Sequence, residues 1–261
     1  MGEVLMTAAI VAVVLMFLTW LISLPLRDVS IVDIVWGLDF VLIGLVTYLR
    51  FAPPDDRRWA TVVLVMVTVW GVRLAAYIGR RKRDHGEDYR YRSMREKRPE
   101  TFSRGSLVTV FLLQAGLMWV VSLPLQTSIA FPLAGDVTGF GLWVGLPIYS
   151  VGLFFEAVGD WQLARFKANP DNNGKVMDRG LWRFTRHPNY FGDFCVWWGI
   201  FTLAFDGGHW WTIVGPLAMT ALLMKISGAA LLERTIGRRR PDYDDYADRT
   251  NAFFPGPPKK A

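Results

Sequence analysis

Long apolar runs alternate with short polar segments along the whole chain. Each run is close to the roughly 20 residues that an α-helix needs to cross a bilayer. Several, such as Leu5 to Trp20, contain no charged residue, which is unusual for buried helices of a soluble bundle. The pattern predicts an all-α, polytopic membrane protein with about seven transmembrane helices in one domain. The predicted spans are residues 4–24, 31–49, 59–79, 106–126, 139–161, 189–206 and 209–232.

Composition supports this interpretation, because 52% of the 261 residues are hydrophobic and 14% are aromatic. The first run does not resemble a secretory signal peptide, since only Glu3 carries charge ahead of it and such peptides begin with a basic region. The single cysteine, Cys195, lies inside a predicted span. The three histidines fall on different segments, so we expect no metal site.

Basic residues concentrate in alternate connecting segments. Residues 80–105, residues 162–188 and the tail are rich in Lys and Arg, whereas residues 127–138 and 207–209 contain neither. By the positive-inside rule, the basic segments face the cytoplasm. We therefore expect the N-terminus outside, the C-terminus in the cytoplasm and the protein in a plasma or bacterial inner membrane. The net charge of +6 then reflects topology and membrane lipids, and no nucleic-acid partner is expected.

Several ionisable residues lie inside predicted spans, where they are functional candidates by default. Asp33 and Trp36 share a helix face, and Asp39 continues it three residues further on. Arg73 follows Trp70 by one turn in the third span. The competing interpretation is that such groups form structural ion pairs or extend to the membrane surface.

A second group of polar residues surrounds the start of the sixth span, where Pro188 suits the first position of a helix. Free N–H groups at a helix N-terminus attract anions. The nearby cations are suited to phosphates: Lys167, Lys175, Arg179 and Arg186. Carboxylates and amides could hydrogen-bond a ribose or a carboxamide: Asp160, Asn189 and Asp193, with His187 and Tyr190 beside them. An adenine could stack on Trp161, Trp182 or Tyr190.

Three strings resemble the DUF1295 branch of the steroid 5α-reductase family. They are Arg186-His187-Pro188-Asn189-Tyr190-x-Gly192-Asp193, the upstream Asp160-x-Gln162-Leu163-x-x-Phe166-Lys167, and the tail from Arg240-Pro241-Asp242-Tyr243 to Phe253-x-Pro255. Trp70-Gly71-Val72-Arg73-Leu74 and Asp33-Ile34-Val35-Trp36-Gly37 are also typical of that branch. The resemblance covers nearly the whole chain.

The resemblance implies an NADPH site facing the cytoplasm, built from about residues 156–250, and a lipid-facing substrate cavity. It implies reduction of a carbon–carbon double bond conjugated to a carbonyl, as in 3-oxo-5α-steroid 4-dehydrogenases. The NADPH-holding positions of the family match Asp160, Lys167, Lys175, Asn189 and Asp193, and Arg73 matches a cofactor-contacting arginine.

The expected catalytic positions are Trp70, Asp33 and Asp39. The steroid reductases have a carbonyl-polarising tyrosine where this chain has Trp70, and Asp33 or Asp39 would replace the glutamate that assists it. An indole N–H donates a hydrogen bond but does not supply a proton.

Two other functions fit the same strings. The wider superfamily contains isoprenylcysteine carboxyl methyltransferases, so an S-adenosylmethionine-dependent lipid methyltransferase is an alternative. That branch tends to carry paired glutamates late in the last helix, where this chain has only Glu233. The second alternative is a non-enzymatic protein whose basic loops bind anionic lipid heads.

Overall fold

The structure is a computed structural model, and it describes residues 1–55, 57–83, 86–132, 139–226 and 242–259. Within these ranges the chain is helical and contains no strand, which confirms the predicted all-α class. Five helical segments are long and apolar enough to cross a membrane. They are Gly2–Leu26, Ile31–Phe51, Arg58–Lys82, Phe102–Val121 and Gly141–Ala168.

We number the α-helices in chain order. They are α1 (Gly2–Leu26), α2 (Ile31–Phe51), α3 (Arg58–Lys82), α4 (Tyr89–Lys97), α5 (Phe102–Ser106), α6 (Leu113–Val121), α7 (Leu123–Ala130), α8 (Leu146–Ala168), α9 (Pro188–Asp206), α10 (Val214–Ala221) and α11 (Tyr243–Arg249). Three π-helical turns extend neighbouring helices, at Leu107–Leu112, Gly141–Gly145 and Leu222–Ile226. Short 3₁₀ turns cover Pro170–Asn172, Gly180–Arg183 and Trp210–Ile213.

The first five predicted spans correspond to the five membrane-length segments, and the largest differences are in the fourth and fifth. The fourth helical segment ends at Val121 rather than at residue 126, because Pro124 opens a new helix, α7. The fifth continues to Ala168, seven residues beyond the predicted end.

The sixth and seventh predicted spans are not among the five. Helix α9 has 19 residues, but polar side chains in its first two turns lower its hydropathy. The seventh span is helical up to residue 226, and its remaining residues, 227–232, lie outside the described residues. The number seven and the orientation across the membrane therefore stay predictions.

The polar segment 80–105 contains a helix that its sequence pattern did not predict. Asp88 caps the start of α4 by accepting a hydrogen bond from the backbone N–H of Arg90, 2.9 Å away. Side chains on both faces of α4 are polar, so ion pairs with other segments, described below, stabilise it more than apolar burial does.

The chain divides into two compact units, the first formed by Met1–Val137 with Leu203–Gly215 and the second by Thr138–Thr202 with Pro216–Ala261. The prediction of one domain, with a cofactor part at about residues 156–250, is not tested by this division.

In the first unit, α2 and α3 pack closely and antiparallel. A Cβ placed on Gly37 would lie 2.5 Å from the carbonyl oxygen of Gly71. One level further along, a Cβ on Gly44 would contact Val67 and Leu64 of α3. Because only glycine allows backbones this near, Gly37 and Gly71 set the register of α2 against α3.

In the second unit, α8 and α9 pack through a stripe of glycines. A Cβ on Gly152 would lie 2.6 Å from the carbonyl oxygen of Gly192, and one on Gly199 would lie 2.7 Å from that of Gly145. The next level continues the contact, since a Cβ on Gly159 would meet the ring of Pro188 at 3.2 Å. This stripe brings the end of α8 against the start of α9, where the predicted cofactor residues lie.

Candidate functional site

The end of α8 presents two buried carboxylates, Glu156 and Asp160, which are 2% and 4% exposed. They are four residues apart and so lie on one face of the helix. Asp160 accepts a hydrogen bond from the side-chain amide of Asn189, with 3.3 Å between Oδ1 and Nδ2. The structure thus brings together two of the predicted cofactor residues, one from each helix.

Helix α9 begins at Pro188 as predicted. Asn189 Oδ1 accepts from the backbone N–H of Tyr190 at 3.1 Å, so this side chain occupies one of the free N–H groups of the first turn. The ring of Tyr190 stacks on buried His187, with 5.4 Å between centroids and 13° between planes. Asp193 follows Asn189 by one turn and is half-buried.

The segment before α9 is anchored on α8 by two hydrogen bonds. Gln162 Oε1 accepts from the backbone N–H of Leu181 at 3.0 Å. The indole of Trp182 donates to the carbonyl of Gly159, also at 3.0 Å. Gly180 has a φ of 59° and lies against the Gln162 side chain, so only glycine suits this turn. The segment therefore has a defined position relative to Asp160.

The tail segment, residues 242–259, packs on the same region. The carbonyl of Phe253 accepts a hydrogen bond from the Thr185 hydroxyl at 2.7 Å. The carbonyl of Asn251 accepts one from the backbone N–H of Arg186 at 2.9 Å. The hydroxyl of Tyr246 donates to the carbonyl of Trp182 at 2.6 Å.

Burial and aromatic contacts add to these bonds. Burial raises the pKa of the Tyr246 phenol, so its hydroxyl keeps the proton that this bond needs. The rings of Phe253 and Phe254 form edge-to-face contacts with Phe194, with centroids 5.9 and 5.6 Å away. The tail segment thus stabilises the turn that precedes α9.

The cations predicted to hold phosphates lie on the surface of this unit. Lys167, Lys175 and Arg179 are exposed, and Arg186 is half-buried. Of the three aromatic candidates for stacking, Trp182 is buried and Tyr190 is stacked on His187, whereas Trp161 is 58% exposed. This unit therefore has an exposed ring and exposed cations at its surface, and buried hydrogen-bonding groups at the α8–α9 contact.

The other predicted site residues belong to the first unit. Trp70 is fully buried and packs edge-on against Phe40, with centroids 5.6 Å apart. Arg73, one turn further along α3, is half-buried.

The expectation that Asp33 and Asp39 continue one face of α2 is wrong. Six residues correspond to 600°, so the two side chains point about 120° apart around the helix. Asp39 is fully buried. Asp33 instead accepts from Arg90 Nη2 at 2.8 Å and from the hydroxyl of Tyr91 at 2.9 Å.

Arg90 and Tyr91 connect α4 to the start of α2. Burial alone would lower the pKa of Arg90, but Asp33 and Asp88 raise it overall. Burial and the charge of Asp33 raise the pKa of the Tyr91 phenol. A neighbouring ion pair joins the end of α3 to the segment before α2, since Lys82 Nζ lies 2.7 Å from a carboxylate oxygen of Asp28. Asp33 therefore helps to attach α4.

Sequence reasoning noted segment 80–105 as rich in polar residues but named no partner within it. The sequence does carry a signal for Arg90 and Tyr91, because this charged and this hydroxyl-bearing residue lie just after Asp88, a residue type that caps helices. Gln162 belongs to the quoted string but was not assigned a role. Gln126, a buried glutamine of α7, gave no signal because one glutamine in an apolar run is common. Among the described residues, no three His, Cys, Asp or Glu side chains cluster as metal ligands do.

Together, the membrane-length helices and the buried polar site at the α8–α9 contact define a helical membrane protein. The family described as "protein of unknown function (DUF1295)" matches residues 19–250. Because this match covers most of the chain, the protein belongs to the DUF1295 family.

One curated relative carries a functional name. Over 66 residues, the chain is 41% identical to a protein of Ustilaginoidea virens called "Probable O-methyltransferase ustE". The match covers 25% of this chain and 23% of that protein, so this chain spans less than a quarter of the length of the relative. No solved structure matches the chain.

Proposed function

We propose that the protein is an NADPH-dependent reductase of a carbon–carbon double bond in a lipid or steroid-like enone. The observation that carries this proposal is the hydrogen bond between Asp160 and Asn189 at the first turn of α9, in a unit whose exposed cations suit phosphates. NADPH carries three phosphate groups, two riboses and a carboxamide. Its binding requires cations together with side chains that accept and donate hydrogen bonds.

Each part of the cofactor has candidate residues. Phosphates would contact the basic side chains, and the helix N-terminus favours negative charge. A ribose or carboxamide would hydrogen-bond Asp160, Asn189 or Asp193. NADPH supplies the hydride when bound, and the chain's residues position it and stabilise charge. Arg186, His187 and Tyr190 lie next to these residues in the sequence. The resemblance also assigns Arg73 to the cofactor.

For the substrate, we propose Asp39 rather than Asp33 as the acid that hydrogen-bonds its oxygen. Asp33 already accepts from Arg90 and Tyr91, and breaking a half-buried ion pair costs free energy. Trp70 packs against Phe40, the residue after Asp39 in α2, and would shape the substrate pocket as an apolar wall.

The test is a titration of the detergent-purified protein with NADPH, followed by its tryptophan fluorescence. We expect saturable quenching in the wild type. In the variant Asp193→Ala, affinity should fall about tenfold to a hundredfold, which corresponds to the loss of one hydrogen bond to a charged group. The matched control is Asp171→Ala, which removes an exposed carboxylate of the same unit and should leave affinity unchanged. A folded wild type that shows no response at saturating NADPH would exclude this proposal.

The second candidate is an S-adenosylmethionine-dependent methyltransferase of a lipid, favoured by the match to a protein named as a probable O-methyltransferase. Against it, many cations suit a ligand with three phosphates better than a sulfonium ligand. The methyltransferase branch tends to carry paired glutamates late in the last helix, whereas this chain has only Glu233 there, a residue that lies outside the described ones. Comparing the affinities for NADPH and S-adenosylmethionine in the same titration separates the two functions.

A further inference from the structure

One side of α8 is exposed along most of its length. The exposed positions recur at alternating intervals of four and three residues, so they form one stripe along α8 and the π-helical turn before it. None of them carries a charge, and the two carboxylates of α8, Glu156 and Asp160, contact α9 instead. We call this surface the α8 stripe, and it consists of Trp143, Pro147, Ser150, Phe154, Ala157 and Trp161.

A tryptophan lies at each end of the α8 stripe. Trp143 is 71% exposed and Trp161 is 58% exposed. Their separation of 18 residues corresponds to about 27 Å along a helix, and the hydrocarbon core of a bilayer is about 30 Å thick. Tryptophan is enriched at both membrane–water boundaries, because its ring is apolar and its N–H is polar. The spacing therefore fits one tryptophan at each boundary.

Charge appears on the exposed side of α8 directly after Trp161. Residues 139–155 contain no charged side chain. Arg165, one turn beyond Trp161, is exposed, and its guanidinium carbon lies 5.6 Å from the centre of the Trp161 ring. Exposed Lys167 follows. Cations at the end of an apolar face are attracted by the phosphates of lipid head groups. The charge pattern thus suits hydrocarbon before Trp161 and head groups beyond it.

The direction of Trp161 differs from that of the cofactor candidate beside it. Asp160 accepts its hydrogen bond from Asn189 at the α8–α9 contact, and one residue corresponds to 100° around a helix. The Trp161 ring instead continues the exposed positions of Phe154 and Ala157. This ring, one of three that the sequence offered for an adenine, therefore lies on the side of α8 that suits lipid.

We propose that acyl chains of the bilayer cover the α8 stripe, and that Trp143 and Trp161 anchor it at the two membrane–water boundaries. The Asp160–Asn189 hydrogen bond then lies level with one boundary, and Glu156 lies about 6 Å deeper. If the proposed function holds, the phosphates of NADPH bind outside the hydrocarbon core. Only this extension rests on that function.

Depth-dependent quenching of tryptophan fluorescence tests the surface without NADPH. The full chain is placed in nanodiscs of phosphatidylcholine that carries bromine either near the ester end or near the methyl end of its acyl chains. Bromine quenches only rings that it touches. The emission that Trp161→Phe removes from the wild type should be quenched more by the bromines near the ester end, and the same should hold for Trp143→Phe. The matched control is Trp197→Phe, which removes a fully buried ring of the same unit, whose emission should respond to neither lipid.

The middle of the α8 stripe supplies a variant with the opposite expected profile. Phe154 is 53% exposed and lies about 10 Å from Trp161 along the helix. The emission added by Phe154→Trp should therefore be quenched more by the bromines near the methyl end. This exposed aromatic exchange leaves the packing of α8 against α9 untouched.

Two results would overturn the proposal. If neither lipid quenches Trp161, water or a second copy of the chain covers the α8 stripe. If the emission added by Phe154→Trp has the same depth profile as that of Trp161, the stripe does not cross the core.

The NADPH titration adds an independent comparison. Trp161→Phe should leave the affinity for NADPH unchanged, whereas a loss of about tenfold or more, the effect of removing a stacked base, would assign the ring to the cofactor and overturn its role as a lipid contact. If the wild type does not bind NADPH, the proposed function fails, and the quenching profiles still decide whether lipid covers the stripe.

Discussion

Replacing Gly192 with alanine should separate α8 from α9. The added Cβ would lie 2.5 Å from the carbonyl oxygen of Gly152, 2.6 Å from Cγ of Glu156 and 2.7 Å from the backbone nitrogen of Glu156. Two of these three atoms belong to the backbone of a long helix and cannot rotate away. The helices must therefore move apart, and the Asn189–Asp160 hydrogen bond, already 3.3 Å long, should break.

The expected cost follows from what overpacking does in well-packed interiors. Such substitutions typically destabilise by about 1–3 kcal/mol, and contact with backbone places this one at about 3 kcal/mol. For a protein of about this size, 1 kcal/mol changes Tm by about 2–4 °C. We expect Tm to fall by about 6–12 °C, measured by tryptophan fluorescence in detergent.

Gly116→Ala is the matched control, because Gly116 is also inside a helix but has nothing within 4 Å of its added Cβ. Alanine is the better helix former, so its Tm should stay the same or rise. If Gly192→Ala and Gly116→Ala have the same Tm, the glycine stripe does not determine the spacing of α8 and α9, and this reasoning fails.

Three further outcomes are expected. Arg90→Leu should destabilise α4 by about 1–3 kcal/mol, between the values for exposed and buried ion pairs, and should speed hydrogen exchange of its amides; unchanged exchange would show that Asp33 does not hold the helix. Burial would raise the pKa of Asp88, but hydrogen bonds from Arg90 lower it overall. The stabilisation of the folded state by the ionised Asp88 carboxylate should therefore be constant above pH about 4 and be lost as the pH falls below it. A pH series of Tm measures this, and a loss that starts near neutral pH would contradict it. Tyr246→Phe should leave the buried carbonyl of Trp182 unpaired, cost about 1–3 kcal/mol and make the tail segment more sensitive to trypsin; equal digestion rates would contradict it.

The long helices were predictable because their signal is local. A run of about 20 apolar residues identifies a membrane-length helix whatever its neighbours are, and α1, α2 and α3 accordingly extend only a few residues beyond the predicted spans. Pro124 is a local signal that the helix ends near Ser122. The prediction missed this end because the apolar run continues past it. Helix α4 has no such signal, since the ion pair between Arg90 and Asp33 joins residues that are 57 apart along the chain.

The candidate site divides in the same way. The start of α9 at Pro188 follows from the residue type, and the bond between Asn189 and Asp160 joins two residues selected from the sequence. The different surroundings of Asp33 and Asp39 follow from helix geometry, because a spacing of six residues places the two side chains about 120° apart around the helix. That difference could have been predicted from the sequence. The hydrogen bonds of buried Gln126 could not be predicted, because its amide nitrogen donates to the carbonyl of Trp119 and to the hydroxyl of Ser122, and these depend on the break between α6 and α7.

The tail segment recognises mostly the main chain of the turn that precedes α9. The carbonyls of Trp182 and Phe184 accept from Tyr246, Asn251 and Gly256, so these bonds are independent of which side chains the turn carries. The Phe184 side chain, like that of Arg183, is exposed. Mutational tolerance should therefore be high at residues 183 and 184 and low on both sides of them. Selection can vary the surface beside the proposed cofactor site there without loosening the backbone that supports it.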